Sequence, residues 1–320
     1  MPAEEALVSV RETASHGGQP TPVHPTFVIL LVRNRIVGQR LTAAFRPMPV
    51  QVTYSVAELH AAMTRHLGAV ACVVAEARDS AHEPVGPALS TLIQRFPTVP
   101  VLGYCGAGAR HAADLRDLAR AGVHELIFAD VDDHPALLRA KLSRGEEACA
   151  AAAVLRRISG LLPPVLGRLV EYCVHFPRDS HEISRISAAL GVHRKTLVNW
   201  CERAKVPPPS TLVTWVRILL AAELLRSPGQ AVERVANTLE FASPTAFRNQ
   251  CRRYLGMRPS ELRSMEGRET AYRAFADALV EARRTDCRRG ADVAHRSIPL
   301  HADSGSIQVA ETGRIVNDRP

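Results

Sequence analysis

A chain of 320 residues, 46% apolar and 22% charged, has the composition of an ordinary globular protein and room for two or three packed domains. No apolar run approaches the roughly 20 residues of a membrane-spanning helix, and seven scattered cysteines (72, 105, 149, 173, 201, 251 and 287) with no Cys-x-x-Cys pair argue against a zinc or disulfide framework. They suit the reduced, mostly buried thiols of a cytoplasmic protein, with a redox-sensing cysteine as the alternative. The formal charge of +8 is not spread evenly. Residues 151–267 hold 17 Lys and Arg against 9 Asp and Glu, whereas residues 1–150 and 268–320 are nearly balanced. A compositional bias toward arginine would charge all three stretches alike, so the localisation points to an acidic partner for the middle one.

Residues 1–24 are polar and carry Gly17, Gly18, Pro20 and Pro22; lacking the apolar core of a signal peptide, they read as a disordered lead. From 25 to 145 short apolar runs alternate with helical patterns. Strands are predicted at Phe27–Val32, Val50–Tyr54, Val70–Ala75, Val99–Tyr104 and Glu125–Phe128. Helices are predicted at Val37–Phe45, Val56–His66, Gly86–Phe96, Arg110–Ala121 and Pro135–Ser143. Apolar strands separated by helices imply a parallel sheet covered on both faces. Five such units make an α/β domain of flavodoxin-like size.

This order resembles the receiver domain of response regulators, most closely in Phe-Pro-Thr-Val-Pro-Val-Leu-Gly-Tyr (96–104) and Ala-Gly-Val-His-Glu-Leu-Ile-Phe (121–128). The resemblance implies an acidic pair after the first strand, an aspartate after the third and a lysine after the fifth. Here Arg33-Asn34, Glu76 and Ala129-Asp130 stand at those points, Asp79 comes three residues late, and Cys105 replaces a hydroxyl residue after the fourth strand. Without paired carboxylates Mg²⁺ has no anchor, so the expectation is a degenerate receiver that dimerises or contacts a partner without phosphorylation. Two local patterns compete with this reading. Gly103, Gly106 and Gly108 follow a strand and precede a helix, which suits a phosphate cradle or simply a tight turn; the spacing favours the turn. His124 and His134 near Asp130, Asp132 and Asp133 suit a metal, or an acidic loop before a helix N-terminus, the commoner case.

Residues 146–178 form a connector, with an alanine-rich helix over Glu146–Ile158 and a second over Val165–Phe176 that repeats Leu166, Leu169, Val170, Cys173 and Val174 at helical spacing. It is either a collar on the following helices or a dimer contact. Then come two successive helix-turn-helix patterns. In the first, Ile183, Ile186 and Leu190 bury one face, Gly191 makes the turn, and a helix over His193–Lys205 buries Leu197 and Trp200. A linker helix is predicted from Pro209 to Ser227. In the second pattern Val232, Val235, Ala236 and Leu239 are inward, and Ser243-Pro244 is a strong start for a helix burying Phe247, Cys251 and Leu255.

The stretch resembles the DNA-binding domain of the AraC/XylS transcription regulators. The matching text is Ser-Ala-Ala-Leu-Gly-Val-His-Arg-Lys-Thr-Leu (187–197), Leu-Leu-Ala-Ala-Glu-Leu-Leu-Arg-Ser-Pro-Gly (219–229), Val-Ala-Asn-Thr-Leu-Glu-Phe-Ala-Ser-Pro-Thr-Ala-Phe (235–247) and Tyr-Leu-Gly-Met-Arg-Pro-Ser-Glu-Leu-Arg (254–263). The resemblance covers 179–265 and implies an all-α domain with two helix-turn-helix units joined by a rigid linker helix and double-stranded DNA as partner; RNA polymerase and a second copy of the chain are further candidate partners. Glu240 departs from it, standing where the family has glycine. Either it adopts the left-handed conformation at a cost of about 1–2 kcal/mol, or the turn is reshaped and the second recognition helix tilts.

Each recognition helix would enter one major groove, the two grooves roughly 34 Å apart. Arg194, Lys195 and Asn199 from the first helix and Thr245, Arg248 and Asn249 from the second are the candidates for reading base edges, since arginine fits the paired acceptors of guanine and asparagine the adenine edge. Arg203 and Arg252, later on their helices, suit phosphate contacts. A further helix is expected within 266–287, over Ala271–Ala282, and 288–320 reads as a disordered tail. The reading is a cytoplasmic transcription regulator, not an enzyme, with no cofactor or metal. A protein adaptor that has lost DNA contact and a nucleotide-binding or enzymatic N-terminal domain are the alternatives. The first would lack exposed basic residues on the helices, and the second would need a convergent acid, base or nucleophile at the strand ends.

Overall fold

The computed structural model describes residues 27–66, 68–179, 182–227 and 230–296, the side chains as far as 285. The lead expected at 1–24 and the tail from 297 lie outside these residues. β1 (Phe27–Leu31), β2 (Val50–Thr53), β3 (Val70–Glu76), β4 (Val101–Cys105) and β5 (Glu125–Phe128) form one parallel sheet in the order β2-β1-β3-β4-β5. Alternate residues of β1 go to opposite faces, Ile29 and Leu31 to one core cluster and Val28 and Leu30 to the other. The first face is covered by α2 (Val56–Arg65), α3 (Gly86–Arg95) and α4 (Ala112–Ala121), the second by α1 (Arg35–Ala44) and the start of α5 (Pro135–Ile158). The result is the flavodoxin-like doubly wound arrangement.

Local chemistry sets the helix starts. The side chain of Asn34 accepts from the Val37 amide and that of Ser55 from the Glu58 amide, so α1 begins two residues earlier than its apolar pattern. The run predicted as one helix over Arg110–Ala121 opens instead with a short 3-10 turn at Ala109–His111.

α5 differs from expectation. The two helices predicted at Pro135–Ser143 and Glu146–Ile158 are a single helix of 24 residues. Gly145 marks a packing position and not a break: a Cβ there would lie 3.2 Å from the Pro100 side chain, so glycine lets the helix pass close to the sheet. α5 therefore begins on the sheet and ends in the helical core, where Ala150, Val154 and Ile158 are buried.

That core is one cluster. Leu166, Leu169, Val170 and Cys173 from the 3-10 turn at Pro164–Leu166 and from α6 (Gly167–His175) join Ile186 of α7 (Ile183–Ala189) and Leu197 of α8 (Arg194–Arg203). α9 (Pro209–Leu224) runs through the middle, with nearly every residue from Trp215 on buried. α10 (Val232–Thr238), α11 (Pro244–Leu255) and α12 (Met265–Arg296) complete it. α12 is longer than the helix expected at Ala271–Ala282 and continues through 288–296, part of the stretch read as tail. Its inner face is seated by Ala271, Tyr272, Phe275 and Leu279. Tyr272 donates from its hydroxyl to buried Glu223 of α9 at 2.8 Å. Arg157 of α5 grips Glu269 through both terminal nitrogens, at 2.8 and 2.6 Å, and lies over the Tyr272 ring.

Candidate nucleic-acid interface

The two helix-turn-helix turns have the same hydrogen bonds. In the first, the Gly191 amide donates to the Ala188 carbonyl at 3.1 Å and the Val192 amide to Ser187 at 3.0 Å, with Gly191 at φ +65°. In the second, Glu240 donates to Asn237 at 3.0 Å and Phe241 to Ala236 at 2.9 Å, with Glu240 at φ +50°. Of the two alternatives for Glu240, the left-handed backbone is the one adopted, and the turn keeps its shape.

An unforeseen residue supports that turn. Arg217 of α9 is buried, and its Nε and Nη2 donate to the Leu239 carbonyl at 3.2 and 2.7 Å, the last carbonyl before Glu240. Its guanidinium lies 4.2 Å from the centre of the Phe241 ring. Burial pushes its pKa down, while the Glu240 carboxylate pulls it up. The only sign of this in the sequence is an arginine inside the apolar run Trp-Val-Arg-Ile-Leu.

α8 starts at Arg194 because His193 caps it, Nδ1 accepting from the Lys195 amide at 3.2 Å. It ends at Arg203 rather than at Lys205, which is itself left-handed at φ +52°. α11 is capped by Ser243, whose hydroxyl accepts from the Ala246 amide at 3.0 Å, and is closed by left-handed Gly256. Leu197, Cys201, Phe247 and Cys251 fix the inner faces of the two helices. Trp215 of α9 meets Tyr254 of α11 edge-on, with ring centres 5.0 Å apart.

On the outer faces Arg194, Lys195 and Arg203 are exposed on α8, and Thr245, Arg248, Asn249 and Arg252 on α11; Asn199 is half-buried. Among the described residues Arg194, Lys195, Arg203 and Arg252 have no ion-pair partner. Arg248 does: its Nη2 meets Glu233 of α10 at 2.6 Å, both side chains about half exposed. A free outer face is thus formed by six of the eight candidates, with Asn199 half-buried and Arg248 tethered to its own unit.

The helix-turn-helix domain family matches residues 186–265, from within α7 to the first residue of α12. This segment is an AraC-type helix-turn-helix domain. It makes the chain a DNA-binding transcription regulator. No curated protein and no solved structure matches the chain. No described helix is long and apolar enough to cross a membrane.

Away from this domain, Glu76, Asp79, His124, Asp130, Asp132 and Asp133 of the sheet domain all have partners within the protein. Glu76, at the end of β3, is buried and accepts from the Arg33 amide at 2.6 Å and from its Nε at 3.0 Å. Asp79 accepts from the amides of Ala81 and Glu83 and so closes a turn. Arg40 pairs with Asp130 at 2.6 Å and Asp133 at 3.0 Å, and hydrogen-bonds Tyr104, whose hydroxyl also reaches Asp133. Lys141 of α5, overlooked in the sequence, pairs with Glu125 and Asp132. The Gly103–Gly108 loop is filled from within: the His111 ring lies where a Cβ on Gly106 would stand. His124 accepts at Nδ1 from the Val101 amide at 3.0 Å. Burial pushes the thiols of Cys149, Cys173, Cys201 and Cys251 up to about 12 and that of Cys105 up to about 11, the opposite of a reactive thiolate.

Proposed function

We propose that the chain recognises specific duplex sequences with α8 and α11 in adjacent major grooves, and that the sheet domain controls this grip without phosphorylation. The observation that carries the reading is the contrast between the two faces of each recognition helix. Leu197, Cys201, Phe247 and Cys251 are locked into a single core around α9, while Arg194, Lys195 and Arg203 stand outward on α8 and Arg248, Asn249 and Arg252 on α11. A shared rigid core fixes the spacing of the two helices before DNA arrives, so little ordering cost remains at binding. Arg194, Lys195, Asn199, Thr245, Arg248 and Asn249 are assigned to base edges, and Arg203 and Arg252 to phosphates.

Regulation without phosphotransfer is supported by the carboxylates themselves. Glu76 is neutralised by Arg33, Asp79 is occupied by backbone amides, and Asp130 and Asp133 are bound by Arg40. Dimerisation through the sheet domain is supported by an apolar surface. Ile36 and Val131 are 77% and 61% exposed, and the Arg40–Asp130 pair draws their segments together. RNA polymerase is the further partner of a regulator that acts by activation.

The test is selection of bound duplexes from a random pool, followed by affinity measurements on the recovered site. Arg194→Ala is expected to cost about 1–3 kcal/mol and to relax preference at one base pair, whereas Arg203→Ala weakens all sequences alike and lowers the salt slope by about 1. An Arg194→Ala protein with unchanged affinity and preference would overturn the assignment.

A further inference from the structure

Two adjoining clefts run along the seam between the sheet and the helical core. The larger, about 520 Å³, has an apolar wall that includes Phe45, Met48 and Leu142, and a rim carrying Arg46, Arg139 and Arg234. The smaller, about 340 Å³, reaches Thr98 and Arg226. Ala71 and Glu146 line both, so one carboxylate stands between them. Volumes of this order suit a small organic molecule.

The charge in the clefts is unbalanced, four guanidinium groups facing the single carboxylate. Arg46 and Arg139 form no ion pair among the described residues. Glu146 is already occupied: it accepts from the Gln230 side-chain amide, and Ser227 also hydrogen-bonds it. Arg226 is the least satisfied group. One terminal nitrogen donates to the Thr98 carbonyl, but its Nε is buried with no hydrogen-bond partner. A desolvated cation with an idle donor is costly, and an anion in the cleft would offset that cost.

We propose that the seam is a binding site for a small organic anion, its charged group held by the arginines and its apolar body lying against Phe45 and Leu142, and that occupancy alters DNA binding. The regulatory half of this rests on the reading of the chain as a DNA-binding regulator governed by its sheet domain. The two ends of the site belong to different domains. Arg139 is on α5 over the sheet, whereas Arg234 is on α10, the first helix of the second helix-turn-helix unit. The chain between α9 and α10 is braced by Arg263, which donates to the carbonyls of Leu225 and Gln230. An anion spanning Arg139 and Arg234 favours one seating of α10 on the sheet domain, which is the differential affinity that allosteric coupling needs.

The experiment uses the full chain, with phenylacetate, phenyl phosphate, inorganic phosphate and neutral benzyl alcohol as probes. At saturation the preferred organic anion is expected to raise the thermal midpoint by about 5 °C; which of the two aromatic anions does so tells carboxylate from phosphate. The same anion is expected to change affinity for the selected duplex by about five-fold or more. Arg139→Gln with Arg234→Gln should abolish both effects while leaving the ligand-free midpoint unchanged, since both side chains are exposed. A shift with benzyl alcohol equal to that of the anions, a shift with inorganic phosphate alone, the same shift in the double variant, or none with any probe would overturn the proposal. A thermal shift that depends on the two arginines in a protein that binds no duplex would uphold the site and overturn instead the reading of the chain as a regulator of DNA.

Discussion

Glu240 holds a backbone conformation that disfavours side chains with a Cβ, yet the turn around it matches the one at Gly191 bond for bond. The compensation comes from Arg217, whose guanidinium gathers the Leu239 carbonyl and faces the Glu240 charge. Glu240 is exposed, so solvent weakens its attraction for Arg217 and the backbone strain outweighs it. Glu240→Gly is therefore expected to stabilise the folded chain by about 1 kcal/mol, read as a higher urea midpoint at unchanged slope. A fall in the midpoint would mean that the attraction to Arg217 outweighs the strain. His124 gives a second residue-level expectation. Burial holds its pKa below the ordinary 6.5, so the unfolded chain takes up the proton first as pH falls. Its contribution to stability is complete above that ordinary value and is lost as pH drops from there toward the lowered folded value. Urea unfolding at pH 8 and at pH 5 checks this, and His124→Gln should flatten the difference.

At the scale of elements, α12 is not an appendage. Ala271, Tyr272, Phe275 and Leu279 are between 0% and 6% exposed and sit in the same core as both helix-turn-helix units. A chain ending at Ser264 loses those side chains and leaves Glu223 buried without the Tyr272 hydroxyl. The helical part is expected to be destabilised by more than about 4 kcal/mol, seen as loss of its cooperative thermal transition. Unchanged melting of the shortened chain would contradict the role given to α12. α5 shows how an element escapes its own sequence. Gly145 lies in its middle, where local propensity favours two helices, but the contact with Pro100 turns the missing side chain into an advantage that propensity cannot reveal.

Over the whole molecule, α5 is shared, covering the sheet at one end and filling the helical core at the other. The second bridge is the Arg226 contact to Thr98 together with the Gln230–Glu146 bond. Both contacts are made by the chain that leads from α9 into α10. The exposed Ile36 and Val131 surface is expected to pair two copies. Sedimentation of the full chain should give a dimer, Val131→Asp a monomer, and treatment with acetyl phosphate should alter neither the mass nor the assembly. Phosphate found on a carboxylate of residues 70–80 would contradict the last of these.

Much of this was legible in the chain itself, because it depends on neighbours in sequence. The five apolar runs that become the sheet, the Ser243-Pro244 start of α11, the glycine turn at 191 and the outward arginines of α8 follow from periodicity, capping and backbone sterics acting over a few residues. The tertiary structure alone decided the pairing of Arg33 with Glu76 across 43 residues, the capping of the second turn by Arg217 from 22 residues away, and the meeting of Arg226 with Thr98 across 128. Such contacts have no spacing to betray them. A charged side chain shows its sequence neighbours only its own turn of helix, while its partner is set by which elements pack together once the apolar faces are buried.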